Sequence, residues 1–384
     1  MKSYKSGSAC EVFVDSENKK VIKRVYYTNE GIENGHTKLL HEINYLKQMN
    51  NECNFFPKVL STYYNDNYLY TEIEYLFNGE SFADLIFDDS VEIDYVDKSL
   101  DLIMTTLFNK FYIKRSSEIN PNYWNDCYIE RTIRRLNVSI DMIKEKNLNM
   151  EKLKNCILNG ITINGIHYDS AYKYMNYLKI NNKYLKNIQP HCTYRSHHDL
   201  ISDNILIQRN KNLISDFKLI DPRGESETGI ENRHFIYDMG KMFFGLDCYS
   251  LFRRTYHVKK FENFKFDYIS HGNYELIYNK KSSTIKKLIH LQKRFCDFYS
   301  KYYSPISNQS ENIELQLMFS AACMYIPDIP CRIIDEGIED LCLVFYARGC
   351  MLLHELMLKL YGQDELSSDI DGSLYNHWPM NINK

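Results

Sequence analysis

Residues 194–225 constrain this chain more than any other part of it. The stretch places Asp199 shortly before Asn204, and a second aspartate, Asp221, follows two apolar runs that flank a polar turn. Short β-branched runs on either side of a turn are typical of a β-hairpin. The pattern therefore predicts a loop and a hairpin that returns Asp221 to the side of Asp199 and Asn204.

Phosphoryl transfer is the chemistry that needs such a set of side chains. One carboxylate must lie beside the attacking hydroxyl, while an amide oxygen and a second carboxylate hold Mg²⁺ against the triphosphate. The spacing therefore predicts Asp199 as the catalytic base, with Asn204 and Asp221 as the magnesium ligands.

This stretch resembles the catalytic segments of kinases. Protein kinases carry H-R-D-L-x-x-x-N, whose Arg is replaced here by His198, and Pro222-Arg223-Gly224 follow Asp221 where a Phe would be. These departures favour small-molecule phosphotransferases. The stretch is similar to the aminoglycoside phosphotransferase/choline kinase family, whose loops read H-x-D-x-x-x-x-N followed by I-D. Its L-I-D-P-R-G-E segment looks most like the branch found among bacterial capsular and surface polysaccharide proteins.

The resemblance implies an α+β, bilobal protein-kinase-like fold. A small β-rich N-lobe would occupy residues 1–76, and a large, mainly helical C-lobe would occupy residues 77–384. The similarity covers residues 5–270 at the level of motifs and is strongest over 197–242.

The N-terminal residues predict two strands that meet at a turn, with the small residues Gly7 and Ser8 just before them. Backbone N–H groups approach phosphates closely only where side chains are small. Gly7 and Ser8 are therefore candidates to cover the triphosphate of ATP. An ordinary surface hairpin is the alternative interpretation.

Lys23 ends a Val-Ile-Lys segment that resembles the V-A-I-K strand, whose Lys holds the α and β phosphates. Residues 37–49 carry apolar side chains at helical spacing, and Glu42 lies within that helix. Glu42 is the expected partner of Lys23, unless it is a solvated helix residue. Arg24 is expected on the opposite face of the strand because neighbours alternate.

Residues 68–76 predict a strand that leads into the hinge of the resembled fold. There, Glu74 and Leu76 would offer backbone carbonyl and N–H groups to the adenine. Asp238 lies in a Y-D-M-G-K-M segment similar to the family's Y-D-L-A-K-L, whose Asp braces the catalytic loop. The resemblance therefore implies that Asp238 supports Asp199.

Helical periodicity dominates the remaining sequence, and an Asn164-Gly165 pair predicts a tight hairpin within residues 161–168. Further helices are expected over the ranges 95–113, 128–146, 283–303, 312–325 and 340–361, the last capped by Gly362.

Arg131, Arg134 and Arg135 share one face of a predicted helix. Two interpretations are open: a solvated basic face, or a face near the cleft that favours a neutral or anionic acceptor. The second predicts negligible activity on polycationic aminoglycosides. Arg223 also has two interpretations, a contact to a phosphate or a salt bridge within its loop.

Composition sets further limits. The formal net charge of −3 predicts no nucleic-acid partner. The 11 Cys include no C-x-x-C pair, which favours reduced thiols in a cytoplasmic protein over a disulfide framework or a zinc site. The sequence has neither a signal-peptide core nor an uninterrupted apolar run of about 18 residues, so no stable membrane insertion is expected.

These features predict a kinase that uses ATP and Mg²⁺ to phosphorylate a hydroxyl of a small molecule. The expected acceptor is a sugar or an amino alcohol, and the sugar could be phosphorylated or nucleotide-linked. The expected pathway is capsular or surface polysaccharide biosynthesis.

Three alternatives are weaker. A non-catalytic kinase-like module that binds nucleotide or a partner is disfavoured because all five expected residues are present: Lys23, Glu42, Asp199, Asn204 and Asp221. A protein kinase is disfavoured because Asp238 follows Asp221 too closely for an activation segment. An HD-type phosphohydrolase carries its His-Asp metal doublet on a helix. Turn and strand signals follow His198-Asp199 here, which disfavours a helix at this position.

Overall fold

A computed structural model of the protein describes the residues in the ranges 2–4, 10–26, 35–65, 67–116, 122–188, 190, 193–211, 213–223, 234–259, 261–307 and 313–361. A small β-sheet forms the N-terminal region, and helices form most of the C-terminal region. The predicted α+β class is confirmed.

The strands of the described residues are β1 (Lys2–Tyr4), β2 (Glu11–Asp15), β3 (Lys20–Tyr26), β4 (Val59–Asn65), β5 (Tyr68–Glu74), β6 (Lys114–Ser116), β7 (Ile161–Ile163), β8 (Ile166–Tyr168), β9 (Thr193–Tyr194), β10 (Ile205–Arg209), β11 (Ile214–Leu219), β12 (Phe264–Ser270) and β13 (Asn273–Tyr278). The α-helices are α1 (Gly35–Glu52), α2 (Phe82–Phe87), α3 (Ile93–Thr106), α4 (Glu130–Glu145), α5 (Glu151–Asn159), α6 (Ala171–Ile180), α7 (Lys183–Asn187), α8 (Ile236–Phe244), α9 (Ser250–Val258), α10 (Ser283–Ser307), α11 (Ile313–Asp335) and α12 (Glu339–Tyr361).

Contacts divide the protein into two units. The first unit contains residues 1–111 and 196–231, and the second contains residues 112–195 and 232–384. The first unit therefore combines the N-terminal sheet with residues 199–221, which carry the predicted catalytic and metal-binding side chains.

The first unit is built on an antiparallel sheet with the strand order β1-β2-β3-β5-β4. Val25 and Leu69 face Leu39 and Ile43 of α1, and together they form a buried cluster. Lys23 lies on the same side as Val25, whereas Arg24 forms an ion pair with Glu11 on the opposite side. The strand alternation predicted for Lys23 and Arg24 is therefore observed.

Two local structures place the predicted catalytic segment against the start of α2. The N-cap residue Ser81 accepts a hydrogen bond from Asp84 N–H, and the Asp84 carboxylate accepts one from Ser81 N–H, which forms a capping box. Ser81 also pairs with Leu206 of β10 through an isolated bridge. Strands β10 and β11 form the predicted antiparallel hairpin.

Helix α11 is the centre of the second unit and packs against α4, α8 and α12. It continues through Pro327 and Pro330 to Asp335, ten residues beyond the end predicted from periodicity. Gly240 allows α8 to approach α11 closely, since a Cβ at Gly240 would lie 2.1 Å from Ser320 Oγ.

Helices α11 and α12 are long and apolar enough to cross a membrane by length and composition alone. The structure buries 83% of the most apolar stretch of α11 and 94% of that of α12, and core helices of soluble proteins are buried in the same way. An Asp247–Arg348 ion pair is buried in the same unit, where Arg348 Nε lies 2.6 Å from Asp247 Oδ2.

The second unit also has a four-stranded sheet with the order β12-β13-β7-β8. Asn164 and Gly165 both adopt positive φ between β7 and β8, as a two-residue hairpin turn requires. The β7–β8 hairpin was predicted from the sequence, whereas the β12–β13 hairpin was not. The period-two pattern of Phe264, Phe266 and Tyr268, followed by Gly272, is the signal that was missed.

Two of the three arginines that were predicted to share one face of a helix are not solvated. Arg134 is exposed, but Arg131 and Arg135 are buried, and their guanidinium groups are directed toward Cys323 and Cys331 of α11. A solvated basic face therefore does not describe Arg131 and Arg135, because the i and i+4 positions face the helix packed against them.

Candidate active site

Lys23 joins two carboxylates within the first unit. Its Nζ lies 2.6 Å from Glu42 Oε1, and it also forms an ion pair with Asp221 Oδ1. Lys23 and Glu42 are buried, whereas the side chain of Asp221 is 46% exposed. The structure therefore brings together strand β3, helix α1 and the end of β11 through three of the predicted site residues.

Lys23 and Asp221 stabilise each other's charged forms. Burial by itself would lower the pKa of Lys23, but the carboxylates of Asp221 and Glu42 outweigh it and raise that pKa. Desolvation would raise the pKa of Asp221, but Lys23 outweighs it and holds that pKa below its usual value. Lys23 therefore stays cationic and Asp221 stays ionised, as binding to a phosphate and to a cation requires.

Two hydrogen bonds, one from its side chain and one to its backbone, place Asn204 beside both predicted aspartates. Asn204 Nδ2 donates to the Asp199 carbonyl oxygen at 2.9 Å, and the Ile220 N–H donates to the Asn204 carbonyl oxygen at 3.0 Å. The second bond ties the start of β10 to the residue that precedes Asp221. The hairpin predicted from the sequence thus returns Asp221 to the loop of Asp199 and Asn204.

Two residues of this segment have unusual backbone conformations. His198 has a φ of 69° and Asp221 has a φ of 56°, both in the left-handed region that L-amino acids seldom adopt. Such conformations cost about 1–3 kcal/mol each and occur often at functional sites. Here, one immediately precedes Asp199 and the other is at Asp221 itself.

Arg223 is anchored to the same loop at two points. Its Nε lies 3.0 Å from Asp199 Oδ2, and its N–H donates to the His197 carbonyl oxygen at 3.0 Å. Of the two interpretations of Arg223, the structure therefore contains the salt bridge within the loop. Its partner is the predicted catalytic base.

His197 forms the buried support beneath this loop. Its ring stacks on Phe56 with an interplanar angle of 11°, and its Nδ1 accepts a hydrogen bond from the Asp199 N–H at 3.2 Å. Burial lowers the pKa of His197 to about 4, although the nearby Asp199 and Asp221 carboxylates oppose the shift. His197 is therefore neutral at pH 7 and fixes the backbone of Asp199.

The supporting roles of His197 and Tyr45 were not predicted from the sequence. The Tyr45 hydroxyl donates to the Ser196 carbonyl oxygen at 2.7 Å, which connects α1 to the residue before His197. Phe56 packs on both Tyr45 and His197. The aromatic residues had no spacing that distinguished them from other core side chains.

Some backbone groups of the predicted hinge already form hydrogen bonds within the protein. Glu74 N–H donates to the Lys58 carbonyl oxygen at 2.9 Å, and the Leu76 carbonyl oxygen accepts from Gly79 N–H at 2.9 Å. The Leu76 N–H forms no hydrogen bond within the described residues, so it is the better candidate for an adenine contact.

The structure does not test the roles predicted for three other residues. Gly7 and Ser8 lie outside the described residues. Asp238 belongs to the second unit, where it is buried in α8 and accepts a hydrogen bond from the Tyr112 hydroxyl at 3.3 Å. Its support of Asp199 remains a prediction.

Asn204 and Asp221 fit a magnesium ion by their chemistry. Asn204 uses its Nδ2 for Asp199, and its Oδ1 has no hydrogen-bond partner among the described residues. Asp221 adds an ionised, partly exposed carboxylate. Mg²⁺ is commonly bound by one or two protein oxygens together with waters and substrate phosphates. The described residues contain no cluster of three or more His, Cys, Asp or Glu side chains suited to a metal, so a site made entirely of such ligands is not indicated there.

No family model matches the sequence, and no curated protein matches it.

Proposed function

We propose that this protein is an ATP- and Mg²⁺-dependent kinase that phosphorylates a hydroxyl of a small molecule. The observation that carries the proposal is the pairing of Lys23 with both Glu42 and Asp221, within a unit where hydrogen bonds connect Asp221 to the loop of Asn204 and Asp199. A phosphate-binding lysine beside two oxygen ligands and a further carboxylate is the arrangement that phosphoryl transfer uses.

Each side chain then has one role. Lys23, held by Glu42, binds the phosphates of ATP. Asp199 orients the acceptor hydroxyl and takes its proton as the acceptor oxygen bonds to the γ-phosphorus. The bond from that phosphorus to the bridging oxygen of ADP breaks, and ADP leaves. The protein thereby supplies positioning and charge, which account for most of the catalysis in this reaction class.

Asn204 and Asp221 would hold Mg²⁺. When bound, the ion neutralises charge on the phosphate oxygens. The half-exposed carboxylate of Asp221 is accessible to it, while Lys23 keeps that carboxylate ionised.

The proposed acceptor is a sugar or amino alcohol used in capsular or surface polysaccharide assembly, and the proposed location is the cytoplasm, where ATP is available. The resemblance of the L-I-D-P-R-G-E segment supports the acceptor class. The burial of Arg131 and Arg135 removes two of the three helical charges that favoured an anionic acceptor. The sugar or amino-alcohol class is therefore proposed without a charge requirement.

Two measurements on the full-length protein test this function. Thermal shifts with ATP, ADP and GTP, with and without Mg²⁺, measure nucleotide binding and its dependence on the metal. ADP release is then measured with a panel of sugars, sugar phosphates, nucleotide sugars, amino alcohols and kanamycin. Mass spectrometry of the products shows whether an acceptor has gained a phosphoryl group.

The proposal predicts a stabilising shift with ATP that requires Mg²⁺, and phosphorylation of at least one small-molecule acceptor. Nucleotide binding without turnover across the panel would instead support the non-catalytic module. The absence of any nucleotide-dependent shift would reject both interpretations.

A further inference from the structure

Strand β12 is an edge strand of the four-stranded sheet that the described residues of the second unit form. It is the terminal strand in the order β12-β13-β7-β8, and no described residue pairs with its other edge. Five of its side chains are exposed: Lys265, Asp267, Tyr268, Ile269 and Ser270. A strand edge of this length carries a row of N–H and C=O groups that another strand can pair with.

The charges on this edge are unfavourable within one copy of the protein. Asp267 lies directly opposite Glu275 of β13, so two exposed carboxylates face each other across the ladder. Like charges in this position destabilise a sheet. Lys265 lies opposite Ile277 instead, and Lys265, Asp267 and Glu275 form no salt bridge within the described residues.

Exposed apolar side chains surround these charges. Tyr268 is 48% exposed, Ile269 is 58% exposed and Ile277 is 47% exposed. Alternation places Tyr268 on the face of Phe264 and Phe266, while Ile277, opposite Lys265, lies on the face of Lys265 and Asp267. Ile269 lies at the point where the register shifts and has no partner on β13. Both faces of this edge strand therefore have apolar surface to bury.

We propose that two copies of this protein associate through β12, which pairs with β12 of the second copy in an antiparallel register centred on Phe266. In this register Lys265 lies opposite Asp267 of the second copy, and Asp267 lies opposite its Lys265. Phe266 faces its own equivalent, and Phe264 faces Tyr268. The contact uses the same surface on both copies, as a closed two-fold dimer requires.

The sequence of β12 favours a second copy over an unrelated peptide as the occupant. Lys265 and Asp267 stand one residue on either side of Phe266, so reversing the strand exchanges their positions. Each copy thereby brings a lysine to the Asp267–Glu275 pair of the other, which removes the repulsion present in the single copy. This proposal is independent of the proposed kinase function.

Charge-reversal variants of the full-length protein test the register. Sedimentation velocity over a range of concentrations is expected to show a reversible dimer for the wild type. Lys265→Asp and Asp267→Lys each turn two attractive cross-strand pairs into repulsive ones, and each is expected to weaken dimerisation by about tenfold or more. Lys286→Asp, which makes the same change at an exposed position of α10, is the matched control and is expected to leave dimerisation unchanged.

Recombining the charges separates a lost interface from a misfolded variant. An equimolar mixture of Lys265→Asp and Asp267→Lys is expected to form a heterodimer, because every cross-strand pair is again of opposite sign. The double variant Lys265→Asp/Asp267→Lys is expected to dimerise with itself for the same reason.

Three results would overturn the proposal. The first is a wild-type protein that stays monomeric up to about 100 μM, which corresponds to negligible association. The second is a dimer that both single variants leave unchanged. The third is a dimer that the single variants disrupt but that neither the mixture nor the double variant restores.

Discussion

Arg223 holds the carboxylate of Asp199 from a position two residues beyond Asp221. The 3.0 Å contact between Arg223 Nε and Asp199 Oδ2 is accompanied by the 3.0 Å hydrogen bond from Arg223 N–H to the His197 carbonyl oxygen. The segment that contains the proposed metal ligand therefore also fixes the orientation of the proposed base. Asp199 is buried, so this contact provides a charged partner that water does not supply.

Arg223→Ala is expected to reduce kcat by about 10- to 100-fold, because a small displacement of a catalytic group can cost that much. Arg223→Lys should retain part of the activity, since it keeps the charge but cannot reproduce the Nε contact. Steady-state kinetics with a saturating acceptor measures both. Arg209→Ala, which removes an exposed arginine paired with Glu80 and Asp88, is the matched control. Full activity of Arg223→Ala would show that the contact is dispensable.

The sequence predicted strand β3, helix α1 and the β10–β11 hairpin of the first unit because their signals are local. Lys23 and Glu42 could be paired in advance because the resemblance to the V-A-I-K strand indicated Lys23, and helical spacing placed Glu42 on the helix that follows. A salt bridge was one of two interpretations of Arg223, but its partner Asp199 was not predicted, because the contact depends on how two loops meet. The burial of Arg131 and Arg135 likewise depends on α11, which is distant in the sequence. The length of α11 was underestimated because proline normally ends a helical pattern, and Pro327 and Pro330 lie inside this helix.

The proposed base is tested by Asp199→Asn. The amide is close in shape but cannot accept the proton of the acceptor, so turnover should fall by roughly 100-fold or more. Nucleotide binding, measured by titration with ATP and Mg²⁺, should change little. Asp216→Asn alters an exposed carboxylate on β11 of the same unit and serves as the control. Near-normal kcat in Asp199→Asn would eliminate this assignment.

The proposed metal ligands are expected to differ in strength. Asp221→Ala should weaken Mg²⁺-dependent ATP binding more than Asn204→Ala does, because a neutral amide attracts the ion less than a carboxylate. Isothermal titration with ATP at several Mg²⁺ concentrations measures the difference. If ATP binds Asp221→Ala and the wild type equally well at every Mg²⁺ concentration, Asp221 is not a metal ligand.

The buried Lys23–Glu42 pair is expected to contribute to stability as well as to ATP binding. Glu42→Gln leaves Lys23 with Asp221 as its remaining carboxylate, so the free energy of unfolding should fall by about 1–3 kcal/mol. Urea unfolding measures this change, and the KM for ATP should rise in parallel.

The Lys20–Glu72 pair is the natural control for that measurement. It joins the two strands β3 and β5, with a separation of 2.7 Å between Lys20 Nζ and Glu72 Oε1, but it lies on the more exposed face. Glu72→Gln should therefore cost less than Glu42→Gln, since water screens an exposed pair. Equal losses in the two variants would contradict the importance of burial for the Lys23–Glu42 pair.

Protonation of His197 is expected to destabilise the protein in mild acid. Burial lowers its pKa to about 4 in the folded state, whereas a histidine in an unfolded polypeptide has a pKa of about 6.5. The unfolded state therefore binds the proton first, and the stability contributed by neutral His197 is lost as the pH falls below about 6.5. Between pH 7 and pH 5 this loss should be about 2 kcal/mol.

The variant His197→Asn separates this titration from the structural role of the ring. Asparagine keeps an acceptor for the Asp199 N–H but does not titrate, so the free energy of unfolding of His197→Asn should decline less between pH 7 and pH 5. His354, whose pKa burial also lowers to about 4, provides an independent test in the second unit through His354→Asn. Urea unfolding at half-unit steps of pH measures how the free energy of unfolding of the wild type, His197→Asn and His354→Asn changes with pH. Parallel curves for the wild type and His197→Asn over this interval would show that His197 does not control the acid sensitivity.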